Sequence, residues 1–166
     1  GKQSLLFAEA PFIISSANIV GSKEGQGPLG EYFDVIGQDD KFGQNTWEEA
    51  ESTLQKEAFA MAIGKVKKKP EDIRYLFAGD LLGQTIASSF GLKEFEIPLF
   101  GFYGACSTCT ESLMTLASFI DSSETLSLGA AVTTSHNSAA ERQFRTPIEY
   151  GGQRAKTAQW TSTAAG

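Results

Sequence analysis

The 166-residue chain has little of what several common classes of protein require. One histidine and two cysteines poorly support a structural zinc site, which takes four nitrogen or sulfur ligands, and they exclude a disulfide scaffold. No apolar run approaches the ~20 residues of a membrane-spanning helix, and Ser4–Ala8 is too short for a secretory signal. A net charge of −6 argues against a nucleic-acid binder, which needs a basic face. We expect a soluble protein.

The sequence does carry the pattern of an α/β domain. Nearly continuous apolar runs at Arg74–Ala78, Ile97–Tyr103 and Leu126–Thr134 predict buried strands separated by helices. Such strands are typical of a mostly parallel sheet that helices cover on both faces. Further strands are predicted at Ser4–Ala8 and Phe12–Ala17, a long glycine-rich loop at 21–45, and helices at 46–65, Leu81–Phe90 and Ser107–Ile120. The polar tail from Thr146 carries no core element, so the sheet is expected to be unfinished.

The helix at 46–65 has the clearest start signal in the chain. Thr46 followed by Glu49 predicts a capping box, in which each side chain accepts a hydrogen bond from the other residue's free backbone N–H. Lys65, Lys67, Lys68 and Lys69 then follow at its negative end. We interpret these lysines as a solvated helix end, with an anion or a membrane surface as the alternative.

A chemical constellation lies at Gly104–Cys109, directly between a buried strand and a helix. Cys106 at a helix start would lie over free N–H groups and the positive end of the helix dipole, which favour a thiolate or a bound anion. Gly104 and Ala105 permit the sharp turn of a nucleophile elbow. The alternatives are a structural thiol, or a redox pair of Cys106 with Cys109 at thioredoxin-like spacing.

Two more strand ends carry candidate residues. His136 follows a predicted parallel strand, where open α/β sheets bind ligands, and Arg142 and Arg145 are three residues apart and suited to carboxylates. A structural histidine, and arginines paired with Glu141 or Glu149, remain the alternatives. Asp80 after the first long strand is predicted as a helix cap, a cation ligand or a site residue.

Four stretches, Gly27–Gly30, Ala78–Gln84, Gly101–Ser112 and Ser135–Gln153, together resemble the stage V sporulation protein AD family. The resemblance covers essentially the whole chain and implies a thiolase-like fold of two α/β halves, with residues 1–166 as the amino-terminal half and the second half absent. It implies a non-catalytic protein that binds dipicolinic acid in the stage V sporulation A complex, peripheral to the cytoplasmic side of the spore inner membrane. No cofactor is implied beyond calcium as the dipicolinate chelate. Asp80, Cys106 and His136 match the family's motifs, and charge adds Arg142 and Arg145 as ligand residues.

The alternative function is a thiolase or ketoacyl synthase type acyltransferase with Cys106 as nucleophile, although the acid and base groups of thiolases come from the half that is absent here. A thioredoxin-like oxidoreductase ranks third. An unfinished sheet exposes backbone and apolar surface, so we expect a homodimer through the sheet edge near Ile97–Tyr103.

Overall fold

The computed structural model describes residues 1–145 and 161–166, and in them one six-stranded sheet with helices. The sheet order is β2-β1-β6-β5-β3-β4. The strands are β1 Ile19–Val20, β2 Val35–Ile36, β3 Leu76–Gly79, β4 Leu99–Phe102, β5 Ala130–Ser135 and β6 Ala164–Ala165. The helices are α1 Ser22–Gly25, α2 Trp47–Lys65, α3 Ile86–Leu92, α4 Thr108–Ser122 and α5 Asn137–Ala140, and a π-helical turn, Glu141–Arg145, follows α5.

Five of the six strands run in one direction. β3 pairs in parallel with β4 and β5, β1 pairs in parallel with β2, and β6 lies antiparallel between β1 and β5. The predicted α/β class with a mostly parallel sheet is therefore confirmed. The expectation that no strand follows the polar tail from Thr146 is wrong, because Ala164 and Ala165 join the two parallel groups of strands. Two alanines carry no hydrophobic pattern by which a strand could be predicted.

The predicted amino-terminal strands are also wrong. Neither Ser4–Ala8 nor Phe12–Ala17 pairs with another strand, and pairing begins only at Ile19. Side-chain contacts hold the segment instead, such as the bond from Ser15 Oγ to the oxygen of Ala62 at 2.7 Å. Residues favoured in strands are favoured because they pack against a neighbour on a pleated surface, and residues 1–145 and 161–166 offer these two segments no neighbouring strand.

Helices α2 and α3 cover one face of the sheet. The predicted capping box begins α2, with Glu49 N–H donating to Thr46 Oγ1 and Thr46 N–H donating to Glu49 Oε2. The core on this face contains Leu54, Ala58, Phe59 and Ile63 of α2, Leu92 of α3, and Leu76, Ala78 and Val132 of the sheet. Gly91 lets the helices meet, since a Cβ there would lie 2.5 Å from the backbone oxygen of Ser52.

Helix α4 covers the opposite face. Phe77 points away from Leu76 and Ala78 because side chains alternate along a strand, and its ring is stacked 4.9 Å from Phe100 and meets Phe119 of α4 at 5.3 Å. Because helices cover both faces of the sheet, the loops at the strand ends are the parts that can contact a ligand. We call the edge where β1 to β5 end the carboxyl edge, and the opposite one the amino edge.

Candidate functional site

Three neighbouring strands deliver the predicted residues to the carboxyl edge. Asp80 directly follows β3, Cys106 lies four residues after β4, and His136 directly follows β5. The loops after β3 and β5 touch, because Gly83 N–H donates to Gln143 Oε1 at 3.3 Å. The sequence therefore predicted correctly that these residues lie at the carboxyl edge. The role of each side chain there depends on its local contacts.

Cys106 lies in a single 3-10 turn, Ala105–Ser107, which leads directly into α4. Ala105 has φ +51°, in the left-handed region, so the chain turns sharply between strand and helix. Cys106 and Cys109 are both exposed free thiols. The first amides of a helical segment have no acceptor within it, and they lie at the positive end of the dipole. The N–H groups of Gly104, Ser107 and Thr108 already donate to Thr108 Oγ1, the Gly104 oxygen and the Ala105 oxygen, so the turn leaves the amides of Ala105 and Cys106, beside an exposed thiol, as its donors.

A carboxylate also faces this turn. Ser107 Oγ lies 2.7 Å from the backbone oxygen of Gly104 and 2.5 Å from Glu111 Oε1. A Cβ on Gly104 would come within 2.3 Å of the Glu111 carboxylate, so a side chain at this position would displace it. Glu111 consequently offsets part of the attraction that the helix terminus has for anions, and it supplies an oxygen ligand beside Cys106.

Asp80 is buried and caps α3 from outside the helix. Its Oδ2 accepts the N–H of Ser88 at 2.8 Å and the Ser88 hydroxyl at 2.6 Å, and its Oδ1 accepts the N–H of Leu82 at 2.9 Å. Thr85 stands at the cap position but has φ +55° and makes no cap bond. The helix predicted from Leu81 therefore begins only at Ile86, because Asp80 holds the intervening loop out of helical conformation.

Sequence reasoning missed a second buried carboxyl beneath this edge. Glu51 of α2 is fully buried, and neither of its oxygens has a hydrogen-bond partner among the described residues. Burial, and then the charge of Asp80, raise the pKa of Glu51 from 4.5 to about 8, so this carboxyl is neutral at pH 7. One turn later, Gln55 Nε2 donates to the oxygens of Gly79 and Val132 at 3.3 and 3.2 Å. The sequence did carry a signal for their burial, because Glu51 and Gln55 directly follow the apolar residues Ala50 and Leu54 on α2.

His136 is fully buried and both of its ring nitrogens are engaged. Nδ1 accepts the N–H of Ala139 at 3.4 Å, so Nε2 carries the proton and donates to the backbone oxygen of Asp40 at 2.6 Å. Burial lowers the pKa of the imidazole below its ordinary 6.5. The only histidine of the chain is therefore neutral and caps α5, and it is not free to take a proton from Cys106.

Arg142 reaches back to the start of α2. It forms an ion pair with Glu48 and lies over the ring of Trp47 at 5.4 Å, with its side chain 42% exposed. Glu141, one of the two glutamates predicted as partners, accepts the hydroxyl of Thr161 at 3.2 Å, and Glu149 lies outside the described residues. The side chain of Arg145 lies outside the described residues. The guanidinium of Arg142 is thus positioned and still partly open to solvent.

The described ranges contain neither a candidate metal centre nor a candidate membrane-spanning helix. Residues 1–145 and 161–166 contain no group of three or more histidine, cysteine, aspartate or glutamate side chains suited to a metal ion. No helix in these ranges has the length and apolar character needed to cross a membrane.

Comparison with known proteins gives a consistent result. The family model described as Stage V sporulation protein AD (SpoVAD) matches residues 1–166. The stage V sporulation protein AD of Bacillus subtilis strain 168 is 39% identical over 166 residues, which are 100% of this chain and 49% of that protein. The chain therefore spans about half the length of this curated relative. With its α/β sheet and this match along its whole length, the chain belongs to the stage V sporulation protein AD family, whose fold is thiolase-like and whose role is in sporulation.

Proposed function

We propose that this chain binds dipicolinic acid at the carboxyl edge and is a non-catalytic component of the complex that transports dipicolinic acid in spores. The observation that carries the proposal is the exposed turn Ala105–Ser107, which opens a 15-residue helix at the end of a parallel strand. Open α/β sheets bind ligands at such strand ends. The family resemblance supplies the identity of the ligand.

The chemistry of the edge suits a small aromatic dianion. The amides of Ala105 and Cys106, in the turn that leads into α4, provide donors for one carboxylate, and the partly exposed guanidinium of Arg142 provides a fork for another. Asp80 and His136 are buried, so in this proposal they act by holding the loops after β3 and β5 rather than by touching the ligand. Arg145 remains a ligand residue by charge alone.

Substitution of Glu111 tests whether the ligand binds as free dipicolinate or as its calcium chelate. Its carboxylate faces the turn and repels a free dianion, whereas a calcium–dipicolinate chelate brings a cation that favours oxygen ligands. Calorimetric titration should show that Glu111→Gln strengthens binding of free dipicolinate and weakens binding of the chelate, each several-fold. Equal effects on the two forms would contradict a ligand at this turn.

Acyl transfer by Cys106 is the second candidate, favoured by an exposed thiol on a left-handed turn. A catalytic thiol needs a positioned base, and His136 is buried with both nitrogens engaged. Incubation with acetyl-coenzyme A followed by intact-mass spectrometry distinguishes the candidates. We expect no acyl adduct; an adduct lost in Cys106→Ala and kept in Cys109→Ala would establish the acyltransferase instead. Disulfide reduction that requires both thiols would establish the third candidate, an oxidoreductase.

The proposal includes a homodimer through β4, other subunits of the stage V sporulation A complex as partners, and a peripheral position on the cytoplasmic side of the spore inner membrane. Support for the dimer comes from β4, which is one of the two outer strands of the sheet in the described residues and leaves Phe100 38% exposed. An unpaired edge of this kind is a template for another strand. Light scattering should give a dimer mass that Phe100→Lys reduces to a monomer; a monomeric wild type would exclude this interface.

A further inference from the structure

Three loops of the carboxyl edge meet at Gly83, and one of them carries Tyr103. Tyr103 directly follows β4 and is 52% exposed. A Cβ added to Gly83 would lie 3.5 Å from Tyr103 Oη and 3.0 Å from Gln143 Nε2. The loop after β4 therefore joins the contact that Gly83 N–H makes with Gln143 Oε1, and the missing side chain of Gly83 leaves a gap beside both groups.

The orientation of Tyr103 follows from the alternation of side chains along β4. Gly101, two residues earlier, lies on the same face of the strand, and a Cβ on Gly101 would lie 3.5 Å from Thr85 Oγ1. This face of β4 is therefore turned toward the loop after β3, which is the inner neighbour of β4 in the sheet. The Tyr103 hydroxyl points inward across the carboxyl edge, so its position is compatible with the proposed dimer through β4.

Two hydrogen-bond donors at this gap are unused. Gln143 Oε1 accepts the N–H of Gly83, which fixes the orientation of the amide and leaves Nε2 as a donor. Neither this Nε2 nor the Tyr103 hydroxyl has a hydrogen-bond partner among the residues that the structure describes. Both groups can donate, so the gap at Gly83 fits a ligand atom that accepts hydrogen bonds.

We propose that Tyr103 and Gln143 together recognise the ring nitrogen of free dipicolinate at this gap. The inference rests on the proposed function, in which one carboxylate meets the amides of Ala105 and Cys106 and the other meets Arg142. Dipicolinate has one further acceptor, its pyridine nitrogen, which lies between the two carboxylates. Tyr103 precedes Ala105 by two residues and Gln143 directly follows Arg142, so each donor stands beside one of the two carboxylate contacts.

The ring nitrogen distinguishes free dipicolinate from two related ligands. In the calcium chelate the metal binds this nitrogen, so only the free dianion can accept the two hydrogen bonds. Isophthalate carries the same two carboxylates on a benzene ring, and it presents a C–H group where dipicolinate has the nitrogen. A site with donors for an acceptor discriminates against the analogue that lacks it, because the donors lose their partner. Tyr103 and Gln143 therefore make the site selective for a pyridine dicarboxylate.

Calorimetric titration with dipicolinate and with isophthalate, both without calcium, tests the inference. The wild type should bind dipicolinate about tenfold more tightly than isophthalate. Tyr103→Phe keeps the ring and removes only the hydroxyl, whereas Gln143→Glu keeps an oxygen for Gly83 N–H and removes the amide donor. Each variant should reduce the preference for dipicolinate several-fold. The charge added by Gln143→Glu repels both dianions alike, so it cancels in the ratio of the two affinities.

A third variant tests the gap itself. Gly83→Ala places a methyl group in it and should weaken dipicolinate binding about tenfold. Gly64→Ala, where the new Cβ has nothing within 4 Å, and Tyr75→Phe, at the amino edge before β3, are the matched controls. Both controls should bind the two ligands as the wild type does. Circular dichroism spectra should be the same for all of these variants.

The outcomes separate this inference from the ligand proposal. Equal wild-type affinities for dipicolinate and isophthalate, or a preference that either Tyr103→Phe or Gln143→Glu leaves unchanged, would overturn the inference. If Cys106→Asp still weakened dipicolinate binding in that case, the ligand proposal would stand without it. A wild type that binds no dipicolinate overturns both.

Discussion

The Nε2 of His136 donates to the backbone oxygen of Asp40 across 2.6 Å, and this bond ties the end of β5 to the loop after β2. The two strands are not neighbours, since β1 and β6 lie between them. The single histidine thus braces the carboxyl edge across its width. His136, predicted from the sequence as a ligand residue with a structural histidine as the alternative, is buried and braces the fold in this structure.

We predict that His136→Asn destabilises the chain by about 2 kcal/mol, because the variant loses the bond to Asp40 and leaves a gap in a fully buried position. Asparagine can still cap α5, so the helix itself should survive. Urea unfolding followed by circular dichroism measures the difference.

The same residue predicts a pH dependence. The folded pKa of His136 lies below 6.5, so at lower pH the unfolded chain binds the proton more readily than the folded chain. Stability is therefore fully present above pH 6.5 and falls as pH decreases through the folded pKa. His136→Asn should lack this contribution, and the stability gap between the two proteins should shrink from pH 7 to pH 5. A gap independent of pH would mean that the imidazole is solvated.

Glu51→Gln tests the buried acid beneath the site. The folded pKa of Glu51 is raised, so its favourable contribution is complete below 4.5 and is lost as pH rises to about 8. The free energy of unfolding of Glu51→Gln, relative to that of the wild type, should rise by up to about 1.4 kcal/mol for each pH unit in that window. Outside the window it should not change further. Urea unfolding of both proteins at several pH values between about 4 and 9 measures this difference in unfolding free energy.

Glu57 supplies the matched control for Glu51. It lies on the same helix but is exposed. Glu57→Gln makes the same chemical change at an exposed position, so the difference between the two variants isolates the effect of burial at residue 51. If the unfolding free energies of the two variants changed with pH in the same way, Glu51 would be solvated or paired in the native chain. It would then have no electrostatic interaction with Asp80.

Thr46→Ala should lower the free energy of unfolding by about 1 kcal/mol, because it removes one of the two capping-box bonds of α2. Thr46→Ser keeps the hydroxyl and should stay within a few tenths of a kcal/mol of wild type. Denaturant titration separates the two variants. Equal stabilities of the alanine and serine variants would show that the helix start does not depend on this cap.

Local signals explain what the sequence predicted well. Thr46 and Glu49 are three residues apart, so their capping box is formed within the helix that it begins. The apolar runs containing Leu76, Leu99 and Val132 are dense enough to mark buried strands wherever their partners come from. Such features need no knowledge of distant residues.

Long-range contacts explain what could not be predicted. Ala164 and Ala165 form a strand only because β1 and β5 lie on either side of them. The role of His136 depends on Asp40, which is 96 residues away along the chain. Glu51 reads as a polar helix residue until the fold places it near Asp80. The edge was predictable, but the bonds that its side chains make were not.

The most direct test of the central claim is calorimetric titration of the chain with dipicolinate, using paired variants at the carboxyl edge. Cys106→Asp places a carboxylate at the helix start, and Arg142→Ala removes the guanidinium; each should weaken binding at least tenfold. Cys109→Asp, one turn further along α4, and Arg74→Ala, at the amino edge before β3, should bind as wild type does. Wild-type binding that neither Cys106→Asp nor Arg142→Ala weakens, or no binding at all, would contradict a dipicolinate site at this edge.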